Sequence, residues 1–188
     1  MDGAPNAKAG PFLETVIRPL YAAYDALKEA RKKRQPLDLD LPERKIVLTE
    51  KGDVQSVNFR DRLDAHKLIE EFMVLANVAA AETLIAKKSP LLFRVHEEPP
   101  IEKLQNYAHF TSPIRRYSDL IVHRSLISAH GWGKDGLDGA QIAELDSIAA
   151  NISGTERRSM TAERDTNDRY LAAYLSERVG QEFSGRIS

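Results

Sequence analysis

Sixteen consecutive residues, His109-Phe110-Thr111-Ser112-Pro113-Ile114-Arg115-Arg116-Tyr117-Ser118-Asp119-Leu120-Ile121-Val122-His123-Arg124, hold three arginines, two histidines and an aspartate. Arginine suits phosphate recognition, because its planar guanidinium donates paired hydrogen bonds and keeps its charge. Thr111 or Ser112 can cap a helix, and Pro113 fits its first turn, where the missing N–H costs nothing. Such a start leaves backbone N–H groups free at the positive end of the helix dipole, with Arg115 and Arg116 one turn in. The chemistry expected is the binding of a phosphate. Asp119 is four residues from both Arg115 and His123, and that spacing alone reads as a charge ladder on a helix surface.

Other polar residues stand in apolar company. His66, Glu70 and Glu71 lie at the entry of a long apolar stretch, with His66–Glu70 and Lys67–Glu71 each four residues apart. These acids either pair near the helix start or point one carboxylate into a ligand groove. Asn77 is alone in the run from Phe72 to Ala86; a buried amide needs partners, so it holds a backbone group or a ligand. Glu156 and Glu163 fall on or beside a stripe formed by Ile152, Met160, Asn167, Tyr170 and Tyr174. A carboxylate on a core-facing stripe needs a cation, and Arg115 or Arg116 are the candidates. A structural ion pair and a site role are equally open there. There is no glycine-rich phosphate loop, no His-Glu-x-x-His and no serine elbow.

The elements that must position these residues follow from periodicity and punctuation. Residues 1–10 read as a frayed end. A helix is expected from Arg18-Pro19 to about Arg34, with Arg31-Lys32-Lys33-Arg34 as a solvated basic end. Pro36 and Pro42 mark a linker. Strands Lys45–Glu50 and Val54–Arg60 flank a hairpin turn at Lys51-Gly52-Asp53. A helix capped by Asp61 or Asp64 runs to Lys87, apolar almost all round from Phe72 to Ala86, and belongs in the middle of a core. A buried strand is expected at Leu91–Val95 and a short helix at Ile101–Leu104. After the helix from Pro113 comes a Gly/Asp-rich loop, Gly133–Gly139, then one long helix from Gln141 to about Val179, closed by Gly180. Gln181–Ser188 reads as one further strand. The fold class is α+β, predominantly helical, with a few short strands.

With 188 residues, 42% hydrophobic and 29% charged, the chain reads as a soluble globular domain. A net charge of −1 gives no globally basic nucleic-acid binder, although a local basic groove depends on distribution and not on the sum. The absence of cysteine excludes disulfides and cysteine-based zinc sites and fits a cytoplasmic location. No apolar run spans a bilayer and no secretory leader is recognisable, so no membrane partner is expected.

The stretch His109–Arg124 resembles the signature of the ribonuclease II/ribonuclease R family, the RNB catalytic domain, nearer its ribonuclease R branch. The likeness continues through Asp64–Asn77, Pro90–Glu97 and Met160–Asp165. It implies a hydrolytic, processive 3′→5′ exoribonuclease that threads single-stranded RNA and releases nucleoside 5′-monophosphates, with Mg²⁺ activating water. By the same likeness Arg115 would stabilise charge on the scissile phosphate, with Arg116 assisting or anchoring. Glu70 or Glu71 would hold the terminal nucleotide, plausibly through ribose hydroxyls. Glu163 would orient Arg115 or the nucleotide end. Asn77, His109 and Tyr117 complete the RNA-binding set, the last two as packing and supporting groups.

The sequence departs from that family in three places. Its cluster of four metal-binding aspartates has no counterpart; Asp38 and Asp40 stand in the wrong context. A segment the size of a small subdomain is missing where Gln105 runs directly into Asn106. Glu182–Ser188 resembles the opening strand of an OB-type RNA-binding domain, which is then cut short. The expected organisation is therefore a partial RNB domain over 1–180, with an internal deletion near 105–106, and the start of an OB-type domain over 181–188. Such a chain is expected not to hydrolyse RNA alone. A non-catalytic RNA- or phosphate-binding module, and a purely structural helical domain, are the competing readings.

Overall fold

A computed structural model describes residues 8–33, 44–59, 61–94 and 107–182. The expectations placed on Arg34, Pro36, Asp38, Asp40, Pro42, Val95, Glu97, Ile101–Leu104, the Gln105-Asn106 junction and residues 183–188 lie outside them. Among the described residues the order is a 3-10 turn (Gly10–Phe12), a π turn (Leu13–Ile17), α1 (Arg18–Lys33), β1 (Arg44–Leu48), β2 (Val54–Phe59), α2 (Asp64–Ala86), α3 (Tyr117–His130), α4 (Gly139–Ala143) and α5 (Leu145–Ser176). The chain divides into two compact units, one of residues 1–39 and 62–149, the other of 40–61 and 150–188.

In the first unit α2 is the central element, but it is not buried all round. Leu68 and Glu71 are buried in its first half, and Asn77, Ala80, Ala81 and Leu84 in its second. At 3.6 residues per turn, Leu68 and Asn77 lie on opposite faces. The first half packs against α1 and the second against α3. A helix that serves two partners on opposite sides is apolar all round in sequence, yet leaves Ile69, Leu75 and Ile85 exposed. The N-cap is neither Asp61 nor Asp64 but Leu63, whose N–H donates to His66 Nδ1 at 3.1 Å. His66 thereby satisfies the N–H of the cap residue itself, a different group from the first-turn N–H that an aspartate cap would have taken.

Ala80, Ala81, Leu84, Ala108, Val122 and Leu126 form the main core, and the alanines let α3 approach α2 closely. Ile121, Leu137 and Leu145 form a smaller one. Residues 91–94 carry no strand. Leu91 and Leu92 pack against the two cores, Arg94 N–H donates to the Tyr107 carbonyl at 2.9 Å, and the Ser125 hydroxyl donates to the carbonyl of Pro90 just before them. Gly131 ends α3 at φ 65°, with Trp132 N–H returning to the Ile127 carbonyl.

The single helix expected from Gln141 is two. Asp138 caps α4 by accepting the Gln141 N–H at 2.8 Å, and Gln141 Oε1 accepts from Asp138 N–H and from Arg124 Nη2. Arg124 also binds the carbonyls of Asp135 and Gly136, at 2.9 Å each. These bonds fix the loop and the short helix against α3, and the chain breaks at Glu144 before α5 starts.

In the second unit β1 and β2 pair antiparallel, with a register shift between Val47 and Leu48. The expected hairpin turn is present. Gly52 takes φ 88°, and Thr49 closes the turn with its carbonyl and hydroxyl. In the part of α5 in this unit the expected stripe is partly covered only at its ends: Ile152, Glu156, Tyr170 and Tyr174 are half-buried, whereas residues 157–169, with Met160 at 63% and Glu163, are all exposed. Charges at Arg157, Arg158, Glu163, Arg164, Asp165, Asp168 and Arg169 leave no apolar face wide enough to bury there.

Candidate nucleic-acid interface

The segment 107–119 is held from two sides. Asn77, 1% exposed, donates through Nδ2 to the Tyr107 hydroxyl and accepts the Phe110 N–H at 2.9 Å. The buried amide therefore takes the backbone-holding option, at the motif itself. His123 Nε2 lies 2.8 Å from the Phe110 carbonyl, and since a carbonyl only accepts, that nitrogen carries the proton. The His123 and Phe110 rings stack at 4.3 Å. His109 is half-buried, edge-on to Tyr107.

From the other side Asp119, wholly excluded from solvent, accepts the Ser112 N–H at 2.7 Å. Arg116 engages both its oxygens, Nε standing 2.9 Å from Oδ2 and Nη2 donating to Oδ1 at 3.0 Å. The Ser118 hydroxyl adds a bond at 3.2 Å. Asp119 is thus a buried hub and not a rung on a surface ladder.

This arrangement corrects the expected helix start. Neither Thr111 nor Ser112 caps a helix. The Ser112 carbonyl accepts the N–H groups of Arg115 and Arg116, at 3.3 and 3.1 Å, closing a tight turn. The helix begins only at Tyr117, with extended Arg116 at its N-cap. Thr111 Oγ1 is enclosed with no hydrogen-bond partner among the described residues. The local signals for a cap were all present, but the chain closes a separate turn on the Ser112 carbonyl and becomes helical only after Arg116. Arg115 therefore sits ahead of the helix, not one turn into it.

At the tip of the turn Ile114 is fully exposed, and Arg115 is exposed with no ion-pair or hydrogen-bond partner for its guanidinium among the described residues. Tyr117, half-exposed, follows it. A delocalised cation on a rigid turn, uncommitted to any carboxylate, can bind a phosphate oxygen in forked geometry.

The acids on α2 divide. Glu71, 6% exposed, is bonded to Arg31 Nη1 of α1 at 2.5 Å. Glu70 is half-exposed and pairs with Arg62 Nη2 at 2.5 Å. Tyr24 is buried beside the Glu71 pair. Burial, and then the carboxylates of Asp64, Glu71 and Asp25, push its phenol above the ordinary 10.0, with Arg31 opposing. Glu163 is exposed on α5. Sequence reasoning missed Tyr107, His123 and Asp119 as the groups that shape the turn. The three-residue spacing of Arg116 and Asp119 was the available signal for the last of them.

The RNB domain family model matches residues 1–106 and 103–130. The chain belongs to the RNB domain family. It is similar to ribonuclease R of Vibrio parahaemolyticus, 27% identical over 247 residues, covering 92% of this chain and 30% of that protein. It is similar also to ribonuclease R 1 of Lactococcus lactis, 29% identical over 241 residues, with 92% and 29% covered. Among solved structures the apo form of Mycoplasma genitalium RNase R superposes with a TM-score of 0.78 at 27% identity, covering 89% of this chain and 38% of that one. The same enzyme in complex with ribose-methylated single-stranded RNA gives 0.76 at 27% identity, with the same coverage. The chain spans about a third of the length of the curated relatives it matches.

Proposed function

We propose that this chain is the phosphate-gripping portion of a hydrolytic 3′→5′ exoribonuclease acting on single-stranded RNA and releasing nucleoside 5′-monophosphates. The observation that carries the reading is Arg115: an exposed, uncommitted guanidinium on a turn locked by Asn77 and Asp119, within an RNB domain. Arg115 neutralises charge on a backbone phosphate. Glu70, half-exposed on α2, is the acid open to a ribose hydroxyl, whereas the Glu71 carboxylate serves to dock α1. His109 and Tyr117 flank the turn as supporting groups, and the half-exposed Tyr117 ring offers a face to a base. The role of Glu163 at the nucleotide end rests on the family resemblance alone. No helix among the described residues is long and apolar enough to cross a membrane, and we place the protein in the cytoplasm.

The family's activity implies Mg²⁺. Among the described residues no three His, Asp or Glu side chains come together in a way that would hold a metal ion. They do not fit that role, and no step here passes through it. Because the family's aspartate cluster has no counterpart in this sequence, we read the 188-residue chain as binding RNA without cleaving it alone. The purified chain, given Mg²⁺ and 3′-labelled RNA, is expected to release no labelled mononucleotide; release would refute this. Arg115→Ala is expected to weaken binding of a single-stranded oligonucleotide about ten-fold, the loss of one charge-assisted contact. Fluorescence anisotropy measures it, and unchanged affinity would favour the purely structural reading.

A further inference from the structure

Arg115 and Arg116 are adjacent in sequence and opposite in circumstance. Arg116 is about a quarter exposed, and its guanidinium meets both oxygens of an Asp119 that water does not reach. Withdrawing Arg116 to meet a phosphate would leave a buried carboxylate without its counter-ion, a large penalty. Asp119 also occupies the first turn of α3, where the helix dipole favours negative charge. The helix end that would attract a phosphate is already filled by the chain's own carboxylate. The free cation is displaced to the turn in front of it, at Arg115.

We infer that Asp119 is a positioning residue: by holding Arg116 as its internal counter-ion and clamping the Ser112 N–H, it presents Arg115, alone of the pair, to an RNA phosphate. The inference rests on the RNA-binding reading above and adds a division of labour within it. Arg116 contributes no phosphate contact of its own. Its charge balances Asp119, and the two together set where the turn points.

The test is the salt dependence of binding between the full chain and a 5′-fluorescein oligoadenylate with a free 3′-hydroxyl. Each phosphate contact to a single strand contributes about 0.7 to the slope of log K against log salt. Arg115→Ala is expected to flatten the slope by about 0.7. Asp119→Asn removes the charge that Arg116 balances while keeping an acceptor for the Ser112 N–H. It frees Arg116, so the slope should steepen by up to about 0.7, and an unchanged slope would overturn the inference. A parent chain with no salt-dependent binding would remove the RNA reading itself, and this inference with it.

Discussion

The turn before α3 and the middle of α5 use the same letters to different ends. One carries Arg115, Arg116 and Asp119; the other carries Arg157, Arg158 and Glu163. In the turn the aspartate is sealed from water and binds a backbone N–H, a guanidinium and a hydroxyl. On α5 the corresponding groups are all exposed, and the ion pair in the same stretch, Arg164 with Asp165, stands at 4.0 Å between side chains open to solvent. Composition does not distinguish them. What differs is whether the chain folds back over the carboxylate, which turns a screened charge into a costly one that must be satisfied.

The sharpest break of this comparison is Asp119→Ala against Glu163→Ala. The first strands Arg116 and the Ser112 N–H, and should cost about 3–5 kcal/mol; the second should fall within about 0.5 kcal/mol. Urea unfolding measures both, and equal costs would abolish the distinction. The same contrast recurs in miniature on α2. Glu71→Ala breaks a buried pair and should cost about 3 kcal/mol, while Glu70→Ala removes a half-exposed one and should cost less than about 1 kcal/mol. Loss of α1 protection in hydrogen exchange should accompany the first and not the second. The smallest effect is a pH dependence. The Tyr24 phenol is raised in the folded state, so its contribution to stability is present below about pH 10 and is lost as pH rises through the folded value. Tyr24→Phe should blunt that alkaline loss in thermal melts, and an unaltered profile would remove Tyr24 as its source.

Much of the fold was legible because local signals and tertiary needs agreed. The span of α1, the Gly52 turn and the extent of α2 followed from periodicity and punctuation. The role of Asn77 followed from a simple rule, that a lone amide in an apolar run must bond to something. Where the reading failed, bonds from outside the local pattern had set the backbone. Ser112-Pro113 is a good helix start, yet the bond from the Ser112 N–H to buried Asp119 goes with a separate turn, and the helix waits until Tyr117. Gln141 opens a long helix until Asp138 and Arg124 hold it in a short one. The Glu163 stripe had helical spacing, but spacing says which residues share a face, not whether anything covers that face.

The bond between Arg94 N–H and the Tyr107 carbonyl gives the chain a seam. Whatever lies between those two residues, its ends are pinned at hydrogen-bond distance, and each doubling of the enclosed length costs only about 0.6 kcal/mol in closure entropy. The family match breaks and overlaps at 103–106, inside that enclosure, and the alignment to the Vibrio enzyme runs over 247 residues, longer than this chain of 188. A change in the length of chain between residues 94 and 107 would therefore leave the Asn77 hold on Phe110 in place at a small entropic cost.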